Sequence, residues 1–366
     1  MEIVDFEIFK DKTVLLTGHT GFKGSWLSIW FNKLGAKVIG YSLDPKTSKD
    51  NFVLTNLTEK IIDIRGDIRD FDKLKNVFTE YSPEFVFHFA AQSLVKESYK
   101  FPKETYDTNI GGTVNVLECC RLTDSVKVII NVTSDKCYKN NEWIWGYREN
   151  DPMGGFDPYS SSKGCSELIT SAYRNSYFNI KNFKTHGKVL SSVRAGNVIG
   201  GGDWSENRLI PDCIKAIESS NDIVLRNPEA TRPWQFVLEP LRGYLLLATK
   251  MYKNPKKYYG PWNFGPNHNS IIQVKELVNL LIDHYCQGRW KVFEEQDKQH
   301  EATLLSLDIS KAKLQLGWNP ILNIDKAIEF TTEWYKTYKQ KQVDMYDFCI
   351  AQINKYLLAV KNDGNN

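Results

Sequence analysis

Tyr159 and Lys163 stand four residues apart in the run Tyr-Ser-Ser-Ser-Lys. On a helix, residues so spaced share a face and their side chains meet. An ammonium held there favours the phenolate, drawing tyrosine below its usual pKa of about 10. A phenolate can take the proton of an alcohol while hydride leaves the carbinol carbon, provided a hydride acceptor lies alongside. The run Gly18-His-Thr-Gly21-Phe22-Lys-Gly24, about 140 residues earlier, has the form of a site for such an acceptor, a dinucleotide. Gly18 would permit a tight turn, Gly21 a close approach of pyrophosphate, and Gly24 close packing of helix on strand. The N–H groups of the helix that follows would face the phosphates.

A third group sits between these two. Val132-Thr133-Ser134-Asp135-Lys136 leaves an apolar strand with four polar residues in succession. Thr133 is expected to hydrogen-bond the hydroxyl that Tyr159 deprotonates. Asp135 and Lys136 add an acid and a candidate base, more than a simple alcohol dehydrogenase requires.

Other candidates are less sharply defined. Asp44, past the second strand, is the acid available to the ribose hydroxyls, while Lys23 in the glycine turn would suit extra phosphate charge. The residues therefore leave NAD against NADP open. Asp67-Ile68 suits the edge of an adenine, or forms a plain turn. Arg194, Asn197, Arg208, Arg226 and Arg232 recur beside glycines and aromatics. A nucleotide diphosphate would engage two or three of these arginines, since guanidinium binds phosphate bidentately. His300-Glu301 precede a strand-like Leu304-Leu-Ser-Leu307 and would either reach substrate or lie in a solvated loop. His88, inside an apolar strand, reads as a core histidine. The six histidines show no metal spacing, so no metal is expected.

The elements that must position these residues follow from periodicity. Strands are expected at Thr13–Thr17, Lys37–Tyr41, Lys60–Arg65, Glu84–Phe89, Val126–Asn131 and Val189–Arg194. Helices are expected at Phe22–Leu34, through Phe78, at Thr108–Arg121 and at Ser162–Tyr177. Strands alternating with helices of ten or more residues imply a parallel sheet. The fold expected is α/β: a Rossmann-type, doubly wound sheet over residues 1–195, with a smaller C-terminal substrate-binding lobe. That lobe, residues 196–366, would return some chain to the first domain. Glycines and prolines at Gly196–Asp203, Asn227-Pro228, Arg232-Pro233 and Gly260-Pro261 mark irregular chain there. Helical segments near Ile210–Ser219, Pro240–Tyr252, Val274–Tyr285 and Ile324–Lys339 are interleaved with it, and the tail from Lys361 is expected to fray.

Composition narrows the class. A net charge of +3, from 47 basic and 44 acidic residues, gives no field that selects nucleic acid or an anionic membrane. Seven cysteines without paired spacing suit reduced thiols and a cytoplasmic protein. The start, Met-Glu-Ile-Val-Asp-Phe-Glu, lacks the basic and apolar regions of an export signal, and no apolar run has the length of a membrane span.

Gly-x-x-Gly-Phe-x-Gly, Asp67-Ile68, His88-Phe-Ala90-Ala91, Asn109 and the Tyr159/Lys163 pair together resemble the extended short-chain dehydrogenase/reductase superfamily. More narrowly, Thr17–Trp26, Thr133–Tyr138, Trp145–Glu149, Asp157–Gly164, Arg194–Trp204 and Arg232–Phe236 resemble the CDP-glucose 4,6-dehydratases. The resemblance implies NAD, held in part by Ala90 and Asn109, and a nucleotide-sugar substrate, CDP-glucose. It implies a homodimer through the Thr108–Arg121 and Ser162–Tyr177 helices, or a homotetramer made by pairing two such dimers. It also implies oxidation at C4, loss of water across C5–C6 and return of hydride to C6, a step toward deoxysugars of bacterial surface polysaccharide such as lipopolysaccharide O-antigen. The dTDP-glucose dehydratases carry Thr-Asp-Glu where Asp135 here is followed by Lys136, which argues against a dTDP-sugar and leaves the C5 base open. Three other readings remain: a nucleotide-sugar 4-epimerase, a dehydratase for another nucleotide sugar, and a non-catalytic dinucleotide-sensing scaffold. The acid and base argue against the epimerase, and the intact Tyr159/Lys163 pair argues against the scaffold.

Overall fold

The structure is a computed structural model and describes residues 6–292 and 304–363. Its centre is a parallel sheet of seven strands. Six follow the order of the chain: β1 Thr13–Thr17, β2 Lys37–Ser42, β3 Ile62–Arg65, β4 Phe85–His88, β5 Val128–Val132 and β6 Val189–Ala195. Across the sheet they run β6-β5-β4-β1-β2-β3, and Gly260–Phe264 adds a seventh strand beside β6. Most inner strands are apolar on both faces and buried to match, as in Val14-Leu15-Leu16 and Val128-Ile129-Ile130. A sheet covered by helices on both sides requires this. The strand order reverses between β1 and β4, which opens a crevice at their carboxyl ends, where open α/β sheets bind ligands.

β1 and the helix after it, Phe22–Lys33, lie where periodicity puts them. The helix expected at Ser162 begins earlier, at Pro158, and runs to Ser176, so Tyr159 falls in its first turn. The helix expected from Thr108 is the end of a longer helical run. Pro102–Tyr106 passes into a π-helical turn, Asp107–Gly111, before regular helix resumes at Gly112–Leu122.

Beyond residue 195 the glycine and proline signals mislead in two places. Gly260-Pro261 opens the seventh strand, and Arg232-Pro233 lies inside the strand Thr231–Phe236. That strand sits between Ile271–Gln273, antiparallel, and Asn197–Ile199, parallel. Its parallel ladder begins only at Trp234, so Pro233 stands outside that ladder. The strand-like Leu304–Leu307 forms a single bridge, Leu307 to Tyr147.

The sequence reading placed no helix between Lys339 and the tail, yet Met345–Asp363 is a helix that returns to the Phe22–Lys33 helix. There Tyr356 meets Trp30 edge to face at 6.3 Å, and Tyr346 and Asn32 share a hydrogen bond of 2.5 Å. One apolar core runs from Val14 and Trp26 through Phe236 and Trp262 to Trp334. Among the described residues no helix is long and apolar enough to cross a membrane. All seven cysteines are free thiols.

Candidate active site

The glycine turn has the shape a dinucleotide needs. Gly18 has φ +77°, and a Cβ there would lie 2.7 Å from the Ala90 nitrogen. A Cβ on Gly24 would stand 2.1 Å from the Gly18 carbonyl oxygen, so helix and strand meet at this residue. Gly21, at the N-cap, is exposed, and no side chain caps the helix. The first N–H groups of the Phe22–Lys33 helix are thus left for an anion. The Thr17 hydroxyl accepts from Phe89 and Ala90 N–H at 3.2 Å and bonds His88 Nδ1 at 2.8 Å, which ties the end of β4 to the turn. His88 also approaches the Thr113 hydroxyl at 3.4 Å, and burial pulls its pKa down to about 3. It is a neutral core histidine, as the sequence suggests. These residues fit the phosphate and ribose portions of NAD.

At the end of β5 the chain enters a short 3₁₀ turn, Asp135–Cys137, with Ser134 as its cap. Ser134 Oγ donates to Asp135 Oδ1 at 2.9 Å, and Ser134 also lies beside the Tyr159 phenol, where it favours the phenolate. Asp135 is 4% exposed. A Cβ on Gly196 would come within 2.9 Å of Asp135 Oδ2, so this glycine makes room for the carboxylate. Burial pushes the Asp135 carboxyl up, against the opposing Lys136 charge and the Ser134 bond, and so favours its acid form.

Tyr159 and Lys163 share one face of their helix, which Asp157 caps by accepting from Ser160 N–H at 2.9 Å. The expectation of a phenolate drawn below 10 is corrected here. Burial pushes Tyr159 up to about 12, and the neighbouring Ser134 hydroxyl offsets only part of this. Burial likewise pulls Lys163 down to about 8, and its ammonium donates to the Val132 carbonyl at 3.3 Å. Removing the two groups from water disfavours the charged form of each.

Thr133 stands apart from this cluster. Its hydroxyl donates to Glu167 Oε1 at 2.5 Å and to the Val193 carbonyl at 3.3 Å. The hydroxyl beside Tyr159 is that of Ser134, one residue on. Arg194 is also not turned toward a ligand. It is 3% exposed and grips Glu167 with two bonds, Nε at 2.9 Å and Nη2 at 2.7 Å, while Nη1 reaches the Tyr138 hydroxyl at 2.6 Å. Burial alone would raise the Glu167 carboxyl, but the Arg194 charge and bonds carry it below the usual range. The pair anchors β5, β6 and the Tyr159 helix from beneath.

Asn109 is spent in a similar way. Its Nδ2 donates to the Gln92 carbonyl at 2.9 Å and to Ser162 Oγ at 2.8 Å, and its Oδ1 accepts from Gln92 N–H. It therefore joins the loop after β4 to the Tyr159 helix. Asp67 is paired with Arg69 at 2.6 Å, Ile68 is buried against Gly112, and the Asp67 carbonyl accepts from the Tyr41 hydroxyl at 2.9 Å. Asp44 is exposed and lies 3.3 Å from Arg65.

Arg208 bonds Asp203 at 3.1 Å and Ser93 at 3.3 Å, and its charge is felt at both Tyr159 and Lys23. Lys23 is pulled down to about 7 by burial, then by the Arg208 and Lys163 cations, with Asp135 opposing. Asn197 is half-buried beside Gly196, and Arg232 is half-buried with Nη1 on the Thr231 carbonyl. His300 lies outside the described residues. The sequence reading missed Ser134 and Glu167. It could have found the Asp157-Pro158 cap, since Asp before Pro is a standard helix start.

The family model for GDP-mannose 4,6 dehydratase matches residues 15–331. The chain is 46% identical to a CDP-glucose 4,6-dehydratase of Salmonella typhimurium, over 98% of this chain and 99% of that one. It is 27% identical to a probable dTDP-glucose 4,6-dehydratase of Sinorhizobium fredii, over 88% and 92% of the two chains. In fold it is similar to the UDP-glucose 4-epimerase of Thermotoga maritima solved with UDP-glucose, with TM-score 0.76, 23% identity and 89% and 99% of the chains covered. It is similar in the same way to the dTDP-glucose 4,6-dehydratase of Bacillus anthracis solved with NAD, with TM-score 0.75, 21% identity and 90% and 98% covered. With its parallel sheet, its glycine turn and its Tyr159/Lys163 pair, the chain belongs to the GDP-mannose 4,6 dehydratase family.

Proposed function

We propose that the chain is an NAD-dependent hydro-lyase that converts CDP-D-glucose to CDP-4-dehydro-6-deoxy-D-glucose and water. The observation that carries the reading is a buried acid, Asp135, bonded to Ser134 beside Tyr159, in a chain 46% identical to a CDP-glucose 4,6-dehydratase. An epimerase has no need of that acid. In this reading residues 1–195 hold the cofactor, and residues 196–366 mainly hold the nucleotide sugar through Arg208, Arg232 and Asn197. Cytoplasmic location is part of it, supported by the seven free thiols. So is a homodimer, supported by exposed Tyr106, Leu122, Leu168 and Tyr177 on or beside the two helices.

Glucose C5–H is too weak an acid to be removed directly. Oxidation at C4 places a ketone beside C5 and sets the C6 hydroxyl β to it, so that water can leave. A bound NAD supplies reversible hydride acceptance and a positive ring charge. That ring charge and the Lys163 ammonium would offset burial and favour the Tyr159 phenolate, which takes the C4 hydroxyl proton while Ser134 orients the oxygen. Asp135 then gives a proton to the departing C6 oxygen. Lys136, half-buried next to it, is the candidate to remove and return the C5 proton. Return of the hydride to C6 would close the cycle with no net redox.

A panel of nucleotide-activated glucoses tests the reading. Turnover to the 4-keto product should be efficient with CDP-glucose and poor with dTDP- and UDP-glucose. Equal kcat/KM across the three would remove the cytidine preference and leave the chemistry standing.

A further inference from the structure

The outer end of β2 is where Rossmann folds meet the adenosine ribose. A carboxylate there reads the 2′-hydroxyl, or an arginine accepts a 2′-phosphate. This chain carries both, bound to each other. Ser42, the last residue of β2, pairs in register with Arg65, the last residue of β3. The Ser42 hydroxyl is taken by Thr20 at 2.8 Å, so it is no substitute for an acid.

The Arg65 guanidinium lies along this edge with each nitrogen on a protein acceptor. Nε is 3.3 Å from Asp44 Oδ1, Nη1 donates to the Leu43 carbonyl at 3.3 Å, and Nη2 donates to Asp63 Oδ2 at 2.8 Å. Its plane sits 4.9 Å over the Phe52 ring. The other oxygen of Asp63 holds His19 Nε2 at 2.8 Å, and His19 belongs to the glycine turn. A continuous chain of side chains, His19–Asp63–Arg65–Asp44, therefore runs from the phosphate site to the ribose corner.

The two carboxylates differ in how firmly they are held. The Asp63 side chain is 7% exposed and fixed from both sides, whereas Asp44 is 86% exposed and meets Arg65 through one contact. We propose that Asp44 sets the cofactor preference by occupying and neutralising Arg65, so that the corner accepts a ribose 2′-hydroxyl and turns away a 2′-phosphate. With both acids present the corner carries two carboxylates against one guanidinium, which repels a phosphate. Without Asp44 the charges balance and Arg65 has an open edge with the planar donor geometry that phosphate prefers. The selectivity thus lies in a masked arginine as much as in an acid facing the ribose. It rests on NAD occupying the glycine turn, as proposed above.

The test is direct binding of NAD and of NADP, followed by calorimetry, to the full chain, to Asp44→Asn and to Asp44→Asn/Arg65→Gln. Asp44→Asn should tighten NADP by about tenfold or more, the scale of one charge-assisted phosphate contact. The double variant should lose that gain, and the gain should shrink as salt is raised. An unchanged NADP affinity in Asp44→Asn overturns the proposal. So does a gain that survives in the double variant, because relief of repulsion alone would then account for it. Unaltered protein that binds neither dinucleotide would overturn the cofactor reading itself.

Discussion

Ser134 and Thr133 show how one residue of phase decides a role. Successive side chains in extended backbone point to opposite sides. Ser134 has φ −159° and ψ 158°, so it and Thr133 face apart, one toward Tyr159 and the other toward Glu167. The sequence shows four polar residues leaving a strand, but it does not show which of two adjacent hydroxyls faces the cleft. Ser134→Ala should lower kcat by about 10–10² with little change in KM, since it removes the hydroxyl beside Tyr159 at the proton-transfer step. Thr133→Ala should leave kcat within about threefold but cost about 1–3 kcal/mol of stability, because a buried Glu167 bond is lost. Steady-state kinetics and urea unfolding of the pair separate the two roles. Asp135→Asn should slow loss of water by about 10²–10⁴ while C4 oxidation persists, a general-acid loss visible as NADH accumulating in a single turnover. An unimpaired Asp135→Asn protein would take the acid out of the mechanism.

At the scale of elements, the half of the chain before residue 195 was legible and the half after it was only partly so. β1 and the Phe22–Lys33 helix are written in apolar runs, in helical period and in glycines whose spacing has one familiar use. The seventh strand and Thr231–Phe236 were hidden behind Gly260-Pro261 and Pro233, residues that mark turns unless tertiary pairing overrides them. Arg194 and Asn109 have protein partners that the sequence conceals for a related reason. An arginine or asparagine suited to a ligand is equally suited to a buried partner, and Glu167 and Gln92 are distant in sequence. The start of the Tyr159 helix is readable from Asp157-Pro158, and it matters because Tyr159 lies in that first turn. Asp157→Ala should cost about 0.5–2 kcal/mol in chemical denaturation. It should also reduce kcat by more than the loss of a cap remote from Tyr159 would.

At the scale of the molecule, the second half completes the first. It supplies a strand to the main sheet, the Met345–Asp363 helix that covers the glycine-turn helix, and Gly196, which leaves space for the Asp135 carboxylate. The groups proposed for catalysis and cofactor binding converge at one edge: Ser134 and Asp135 from the end of β5, Tyr159 and Lys163 from the helix beside it, and the glycine turn after β1. An arrangement that oxidises C4 and later reduces C6 within one closed cycle must move the same hydrogen between the two carbons. CDP-glucose carrying deuterium at C4 tests this most directly. The account predicts the label at C6 of the 4-keto product, with no net accumulation of NADH. Label released to solvent, or NADH formed in step with product, would contradict it.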